Sequence, residues 1–308
     1  MARYFPRPTT YHPGLELQLR QAVEGGDLLA AVRQIPELDP AARREAIVLV
    51  HGFNNHEGEA SAAYERLRVR QYDRGAPALV PTALEQLFAD LFWPGDAAWG
   101  RFDLADFLVY PAAVTTARKA APRLADHLRA MPALLTVHFM GHSLGCRLVL
   151  ETIEDLAANG GPIVGKVCLM AAAVPVFKVQ PGGVLTRAMS HASEVRVLYS
   201  EADTVLKYAF PPGQTLAAGD EGFFPEAVGR FGRLSVTSGR IDPWRVVGAR
   251  HSDYWGDDDL NAAAVSAADR VAGFFKFGRW ARPVGESLEA PASRATADRR
   301  EIGYTRVV

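Results

Sequence analysis

The sequence of 308 residues has little of several features that indicate the class of a protein directly. It has two cysteines, Cys146 and Cys168, which are too few for a disulfide framework and lie in apolar surroundings typical of small buried residues. The formal net charge is -1, so no excess of basic residues favours nucleic acid or an anionic membrane surface. The substrate class must therefore be inferred from a local site.

Long apolar runs are also missing. No stretch reaches the roughly eighteen consecutive apolar residues of a transmembrane helix, and the N-terminal "MARYFPRPTTYHPG" has no apolar segment typical of a secretory signal. We therefore expect no integral membrane segment and a cytoplasmic protein. Neither a Gly-x-Gly-x-x-Gly run nor a Gly-Lys-Ser/Thr loop follows an apolar run, which argues against phosphate or nucleotide binding.

The sequence does contain an alternation of short apolar runs and amphipathic segments. The apolar runs predict strands at residues 46–53, 87–96, 134–140, 166–174, 194–200 and 244–249. The amphipathic segments predict helices at residues 61–72, 114–131, 146–161 and 259–278. Strands that alternate with helices predict an α/β fold, with a mostly parallel central sheet covered by helices on both faces.

The chain divides by composition into three parts. Residues 1–45 predict an N-terminal arm with one or two short helices, residues 46–280 a catalytic domain, and the polar, aperiodic residues 281–308 a C-terminal tail. The connection of residues 175–193 is too short for a large cap domain. Residues 204–244 are the better candidate for a lid or pocket wall.

The motif "GHSLG" at residues 141–145 places Ser143 between two glycines. The pattern alone is a weak signal, but here the strand "LLTVHFM" precedes it and the helix "CRLVLETIEDL" follows it. A nucleophile at a sharp strand-to-helix turn needs this context, and it needs small residues on both sides because neighbouring backbones approach closely. The context favours a nucleophilic serine over a small polar turn residue.

A serine hydroxyl needs a base, and only one histidine lies in the right place for it. In one recurring arrangement of a catalytic triad, the nucleophilic serine comes first in the chain, the acid second and the histidine last. The histidine then follows a strand that carries the acid. Of the eight histidines, only His251 lies after such a strand, because His191 precedes it. The others come before the serine or lie inside its motif: His12, His51, His56, His127, His138 and His142.

The acid is expected on the loop after the strand "EVRVLYS", which runs directly into "EADTVL". This loop offers Glu201 and Asp203, and we favour Asp203 because it lies a few residues beyond the strand end. Asp203 also suits a helix N-cap, and the two roles are compatible. Asp242 and Asp253 are weaker candidates because they lie close to His251 in sequence.

A tetrahedral intermediate needs backbone N–H donors, and two positions fit. One is Leu144, directly after the nucleophile, and the other is Phe53 in the loop "VHGFNN". Asn54 and His142 are predicted to contact the substrate from the same two segments. The aromatic side chains of residues 204–244 fit either an acyl pocket or ordinary packing: Phe210, Phe223 and Phe224.

The segments "VLVHGFNN", "FWPGD", "GHSLGCRLVLETI", "YSEADTVL" and "GARHSDYW" together resemble the α/β-hydrolase superfamily. They are similar in particular to the bacterial alpha/beta hydrolases of unknown function with a His-Gly-Phe-Asn motif and a Gly-His-Ser elbow. The resemblance covers residues 46–275 and implies the α/β-hydrolase fold and a triad of Ser143, Asp203 and His251. It implies no substrate, because the fold hosts many chemistries.

These observations predict a serine hydrolase of the carboxylesterase or lipase kind that cleaves an ester or thioester through an acyl-enzyme. No metal and no cofactor are required, and the expected partner is a small-molecule acyl ester or thioester. Two alternatives stay open: an acyltransferase that uses the same triad, and a non-catalytic binding protein on the same fold.

Overall fold

The computed structural model describes residues 15–23, 26–35, 44–53, 57–74, 87–95, 106–232, 234, 240–255 and 261–277. Within these residues the strands form one eight-stranded sheet in the order β2-β1-β4-β3-β5-β6-β7-β8. The β1–β2 pair is antiparallel and every other pair is parallel. The strands are β1 Leu15–Val23, β2 Gly26–Ile35, β3 Glu45–Val50, β4 Phe88–Phe92, β5 Thr136–His142, β6 Ile163–Met170, β7 Glu194–Tyr199 and β8 Ile241–Arg245.

Helices cover both faces of this sheet, as the alternation of strands and helices predicted. The helices are α1 Glu57–Arg74, α2 Asp106–Ala130, α3 Gly145–Asn159, α4 Val176–Val179, α5 Thr186–His191, α6 Phe210–Thr215, α7 Val228–Phe231 and α8 Ala262–Phe275. A π-helical turn at Val205–Ala209 precedes α6, and a 3-10 turn spans Asp253–Trp255. No described helix is long and apolar enough to cross a membrane.

Strand β3 shows why a central strand of this sheet contains an unbroken apolar run. Ala46, Val48 and Val50 pack into one core with α2 and α3, whereas Ile47 and Leu49 pack into a second core with α1 and α8. Successive side chains of a strand point to opposite faces, so a strand buried on both faces needs an unbroken apolar run. A strand buried on both faces was predicted at residues 46–53, and it is confirmed as β3, which ends at Val50, before the predicted end.

The helices predicted near the N-terminus are wrong, because residues 15–23 and 26–35 form the antiparallel strands β1 and β2. Leu15, Leu17 and Leu19 alternate along β1 and are all buried. This period of two is a strand pattern, and pairing of β1 with β4 brings both β1 and β2 into the sheet. Strands β1 and β2, which lie within the predicted N-terminal arm, therefore belong to the sheet. The predicted C-terminal tail lies outside the described residues.

The last strand begins before its predicted position of 244–249. Strand β8 spans Ile241–Arg245 and, among the described strands, pairs only with β7, so Pro243 lies in an edge strand, where a missing N–H is tolerated. The predicted residues Val246 to Ala249 instead form the turn that leads to His251. Between β6 and β7 the chain forms only the short helices α4 and α5, so no large cap is inserted there.

Candidate active site

Ser143 lies at the sharp turn between β5 and α3. Its φ is 53°, a left-handed conformation that is unfavourable for a residue with a side chain. Backbone hydrogen bonds hold it there: its N–H donates to the Met170 carbonyl at 2.9 Å, and its carbonyl accepts from the Ala173 N–H at 3.1 Å. Such strain persists only where the surrounding structure fixes it. Here the end of β6 and the residues that follow it do so.

The glycines around the serine are required by close backbone contacts. A Cβ on Gly145 would lie 2.3 Å from the His51 carbonyl oxygen and 2.7 Å from that of Val50. A Cβ on Gly52 would lie 2.8 Å from the Ser143 Cβ. The start of α3 therefore packs directly on the end of β3, which places the loop after β3 beside the serine.

Substitution of Gly145 by alanine is expected to lower the free energy of unfolding by about 2 kcal/mol, because backbone atoms of β3 must move to admit the methyl group. Gly273, in α8, is the matched control, since a Cβ there meets nothing within 4 Å. Gly273→Ala should stabilise the protein by up to about 1 kcal/mol, as alanine does in a helix. Urea unfolding measures both, and equal effects of the two substitutions would contradict the contact at Gly145.

The structure brings Ser143, His251 and Asp203 together in one chain of hydrogen bonds. Ser143 Oγ lies 2.9 Å from His251 Nε2, and His251 Nδ1 lies 2.7 Å from Asp203 Oδ2. A carboxylate only accepts hydrogen bonds, so Nδ1 carries the proton of the neutral imidazole. Nε2 is then left to accept the hydroxyl proton of the serine, which is the arrangement that a general base needs.

Asp203 lies after β7 in the position predicted for the acid. Its side chain is fully buried, and Oδ1 accepts a hydrogen bond from the Leu206 N–H at 2.9 Å. The two oxygens therefore have separate tasks, because Oδ1 caps the following helical turn while Oδ2 faces His251. The cap role and the acid position predicted from the sequence occur together.

The other carboxylates considered for the acid have different partners. Glu201 Oε2 lies 3.3 Å from Arg245 Nη2, and both side chains are half exposed. Asp242 Oδ2 accepts from Arg196 Nε at 3.1 Å, and Asp253 Oδ2 accepts from the Arg250 N–H at 2.8 Å.

Phe53 and Leu144 lie in the two segments that flank the serine. Neither backbone N–H donates a hydrogen bond within the part of the chain that the structure describes. Leu144 precedes α3, whose N-terminus carries a positive partial charge. The Phe53 ring packs edge-on against Tyr110 of α2, with the ring centroids 5.4 Å apart.

His51 fixes the peptide unit that carries the Phe53 N–H. The His51 Nδ1–H donates to the Gly52 carbonyl at 2.9 Å, while Nε2 accepts from the Trp93 N–H at 3.3 Å. The Gly52 carbonyl and the Phe53 N–H belong to one planar trans peptide, so they point in opposite directions. Holding the carbonyl therefore sets the direction of the N–H.

His142, directly before the serine in the chain, is a buried residue that is 5% exposed. Its Nε2 donates to the His251 carbonyl at 2.7 Å. Burial, and then the charge of His251, lower the pKa of His142 to about 3. The predicted contact of His142 with substrate stays a prediction, and a different role is proposed below.

The remaining predicted substrate contacts lie in different surroundings. Phe210 is buried in the core that α1 and α8 cover. Phe223 and Phe224 are exposed and pack edge-on against each other, with centroids 4.9 Å apart. Among the described residues, no ring contact or hydrogen bond joins these rings to Ser143, and their part in an acyl pocket stays a prediction. Asn54 lies outside the described residues.

A buried ionic cluster beside the site was not predicted. Glu221 accepts hydrogen bonds from both Nη atoms of Arg147, at 3.0 and 3.1 Å, and its carboxylate lies 3.3 Å from Lys178 Nζ. Gln214 donates to the same carboxylate and accepts from the Tyr110 hydroxyl at 3.2 Å. Arg147 within the apolar run "CRLVL" and Lys178 within "VPVFKV" were the sequence signals of buried charge.

Comparisons with known proteins agree with this architecture. The family model "Alpha/beta hydrolase of unknown function (DUF900)" matches residues 31–210, more than half of the chain. No curated protein matches the chain.

The described residues contain no group of three or more His, Cys, Asp or Glu that could hold a metal ion.

Solved structures that resemble the chain include three esterases of low sequence identity. Carboxyl esterase 2 of the mycorrhizal fungus Tuber melanosporum is 13% identical over 89% of this chain and 93% of its own, with a TM-score of 0.45. A hyperthermophilic esterase of the archaeon Pyrobaculum calidifontis is 16% identical over 85% of each chain, with a TM-score of 0.43. Thermogutta terrifontis esterase 2, phosphorylated by paraoxon, is 14% identical over 85% of this chain and 94% of its own, with a TM-score of 0.42.

Proposed function

The chain belongs to the family of alpha/beta hydrolases of unknown function whose model it matches, and within this family we propose that it is a serine hydrolase that cleaves a carboxylic ester or thioester. Its mostly parallel sheet with helices on both faces is the α/β-hydrolase fold. The observation that carries the proposal is the unbroken chain of hydrogen bonds from Ser143 through His251 to Asp203.

In the proposed reaction, Ser143 Oγ attacks the acyl carbon and passes its proton to His251 Nε2. Asp203 holds the ring in the tautomer that accepts this proton and stabilises the imidazolium that forms. The bond to the leaving group then breaks, and the departing alcohol or thiol takes the proton from Nε2. Water attacks the acyl-enzyme by the same route, with His251 as base, and releases the acid and free Ser143.

The backbone N–H groups of Phe53 and Leu144 are proposed to stabilise the negative oxygen of the tetrahedral intermediates. Both lie in segments packed against the serine, and neither N–H has a partner among the described residues. Donors fixed before the reaction cost no reorganisation when charge develops, and the loss of one such donor typically lowers kcat by about 10²–10³. The His51 contact with the Gly52 carbonyl supports this fixed geometry on one side.

Labelling with a fluorophosphonate probe tests the proposal, because the probe phosphonylates a serine only where a base activates it. We expect one label per chain at Ser143, located by peptide mass spectrometry, and loss of the label in Ser143→Ala. Ser190→Ala is the control, since Ser190 is exposed and its hydroxyl donates to the Arg187 carbonyl. This control should label like the unaltered protein.

A panel of p-nitrophenyl esters with acyl chains from C2 to C16, and of matching thioesters, then defines the substrate class. The proposal predicts hydrolysis of at least one member, with loss of this activity in Ser143→Ala. A folded protein that neither labels nor hydrolyses any member of the panel would overturn the proposal and favour a non-catalytic binding protein.

A further inference from the structure

The residue directly before the nucleophile contacts the same histidine as the nucleophile itself. Ser143 Oγ meets the His251 ring at Nε2, at 2.9 Å, while the His142 ring meets the His251 backbone carbonyl at 2.7 Å. The left-handed turn at Ser143 allows two consecutive residues to reach one partner. His251 is thereby attached to the end of β5 at two points, one on its ring and one on its backbone.

The hydrogen bond to the carbonyl fixes the protonation of His142. A carbonyl oxygen only accepts, so Nε2 carries the proton, and Nδ1 has no hydrogen-bond partner among the described residues. Burial keeps the ring neutral, with the pKa lowered to about 3. His142 is therefore a neutral donor at ordinary pH, and it adds no positive charge beside the imidazolium that His251 forms during the reaction.

Other contacts of the segment that carries His251 also converge on His142. The segment leaves β8 through a turn and continues into Tyr254 and Trp255. Both of these rings are buried and pack around the His142 ring, with centroids 6.2 and 5.7 Å away. The rings of His142 and His251 lie 5.0 Å apart. His142, at the end of β5, thus contacts three residues of the His251 segment: His251, Tyr254 and Trp255.

We infer that His142 is a positioning residue, which holds the backbone of His251 by its Nε2–H donor so that the His251 ring meets Ser143 Oγ. The inference rests on the proposed function and deepens it. It replaces the predicted contact of His142 with substrate, since the side chain is buried and its one donor is taken by the carbonyl. A displacement of about 1 Å in a catalytic group can cost about 10²-fold in rate.

Two substitutions separate the donor from the bulk of the side chain. His142→Gln keeps an N–H donor at a similar reach, whereas His142→Met fills a similar volume without one. We expect His142→Met to lower kcat about 10²-fold with KM changed by less than about threefold. We expect His142→Gln to recover most of the loss and stay within about tenfold of the unaltered protein.

The kcat of each variant is divided by its folded fraction, which circular dichroism measures from the cooperative unfolding transition. Unfolding of a variant is then not mistaken for a loss of catalysis. A raised KM with unchanged kcat in His142→Met would overturn the inference in favour of substrate contact. Equal losses in the two variants would overturn the role of the hydrogen bond. Failure of the proposed function itself is distinguishable, because it would abolish labelling and ester hydrolysis in the unaltered protein.

Discussion

Asp203→Asn is expected to lower kcat about 10⁴-fold while leaving the fold intact. The Leu206 N–H donates to Oδ1 and will hold the asparagine oxygen in that place. The amide NH₂ must then face His251 Nδ1, where the carboxylate oxygen lies now. An amide donor at this position forces the proton of the neutral imidazole onto Nε2. The ring can then no longer accept the proton of Ser143.

Steady-state hydrolysis of a p-nitrophenyl ester measures this effect, and circular dichroism checks the fold. Glu201→Gln is the matched control, because it removes a carboxylate from the same loop. Glu201 pairs with Arg245 on the surface, and both side chains are half exposed. We expect its kcat to change by less than about twofold, since Glu201 forms an exposed ion pair with Arg245 while His251 Nδ1 is bonded to Asp203. Comparable losses in the two variants would contradict the assignment of Asp203 as the acid.

The arrangement around Ser143 could be predicted from the sequence because the chemistry imposes local patterns. A nucleophile at a sharp turn needs a strand, clearance and a helix in immediate succession, and residues 134–157 contain all three. The positions of Asp203 and His251 followed from strand order, because loops at the same ends of parallel strands lie side by side. The hydrogen bonds among the three residues agree with that placement, while their catalytic roles stay a proposal.

Features that depend on long-range contacts could not be predicted in the same way. The segment that begins with "LELQL" was predicted to be helical, and the long-range pairing of β1 with β2 and β4 makes it a strand. The contact of His142 with the His251 backbone has no sequence pattern, because a carbonyl acceptor is present at every residue. Likewise, no spacing rule links Arg147 to Glu221 across the intervening strands and helices.

Glu221→Gln is expected to lower the free energy of unfolding by about 3 kcal/mol, because it leaves the buried cations Arg147 and Lys178 without their shared carboxylate. The amide also faces donors on several sides and can satisfy fewer of them than the carboxylate does. Activity should fall as well, since Gln214 joins Glu221 to Tyr110, and the Tyr110 ring packs on Phe53. Urea unfolding followed by circular dichroism measures the stability.

The same Glu→Gln change at Glu201 again supplies the control, with an expected loss below about 1 kcal/mol. A double variant separates charge from packing. Lys178→Met in the Glu221→Gln background removes one of the two cations that lost this carboxylate and should recover part of the stability, by a coupling that the double-mutant cycle measures. A loss in Glu221→Gln no larger than that in Glu201→Gln would contradict a structural role for the cluster.

The decrease in the free energy of unfolding caused by Glu221→Gln is also expected to depend on pH. Burial and then Arg147 lower the pKa of Lys178, and Glu221 opposes both effects. Without Glu221 the pKa of Lys178 falls further in the folded protein, while the unfolded chain keeps the ordinary lysine value near 10.4. As pH rises between these two values, the folded state releases its proton first, so the free energy of unfolding rises with pH. The loss in Glu221→Gln should therefore be largest near neutral pH, where Glu221 of the unaltered protein is ionised, and shrink as the pH approaches about 10, a trend that Glu201→Gln will not share.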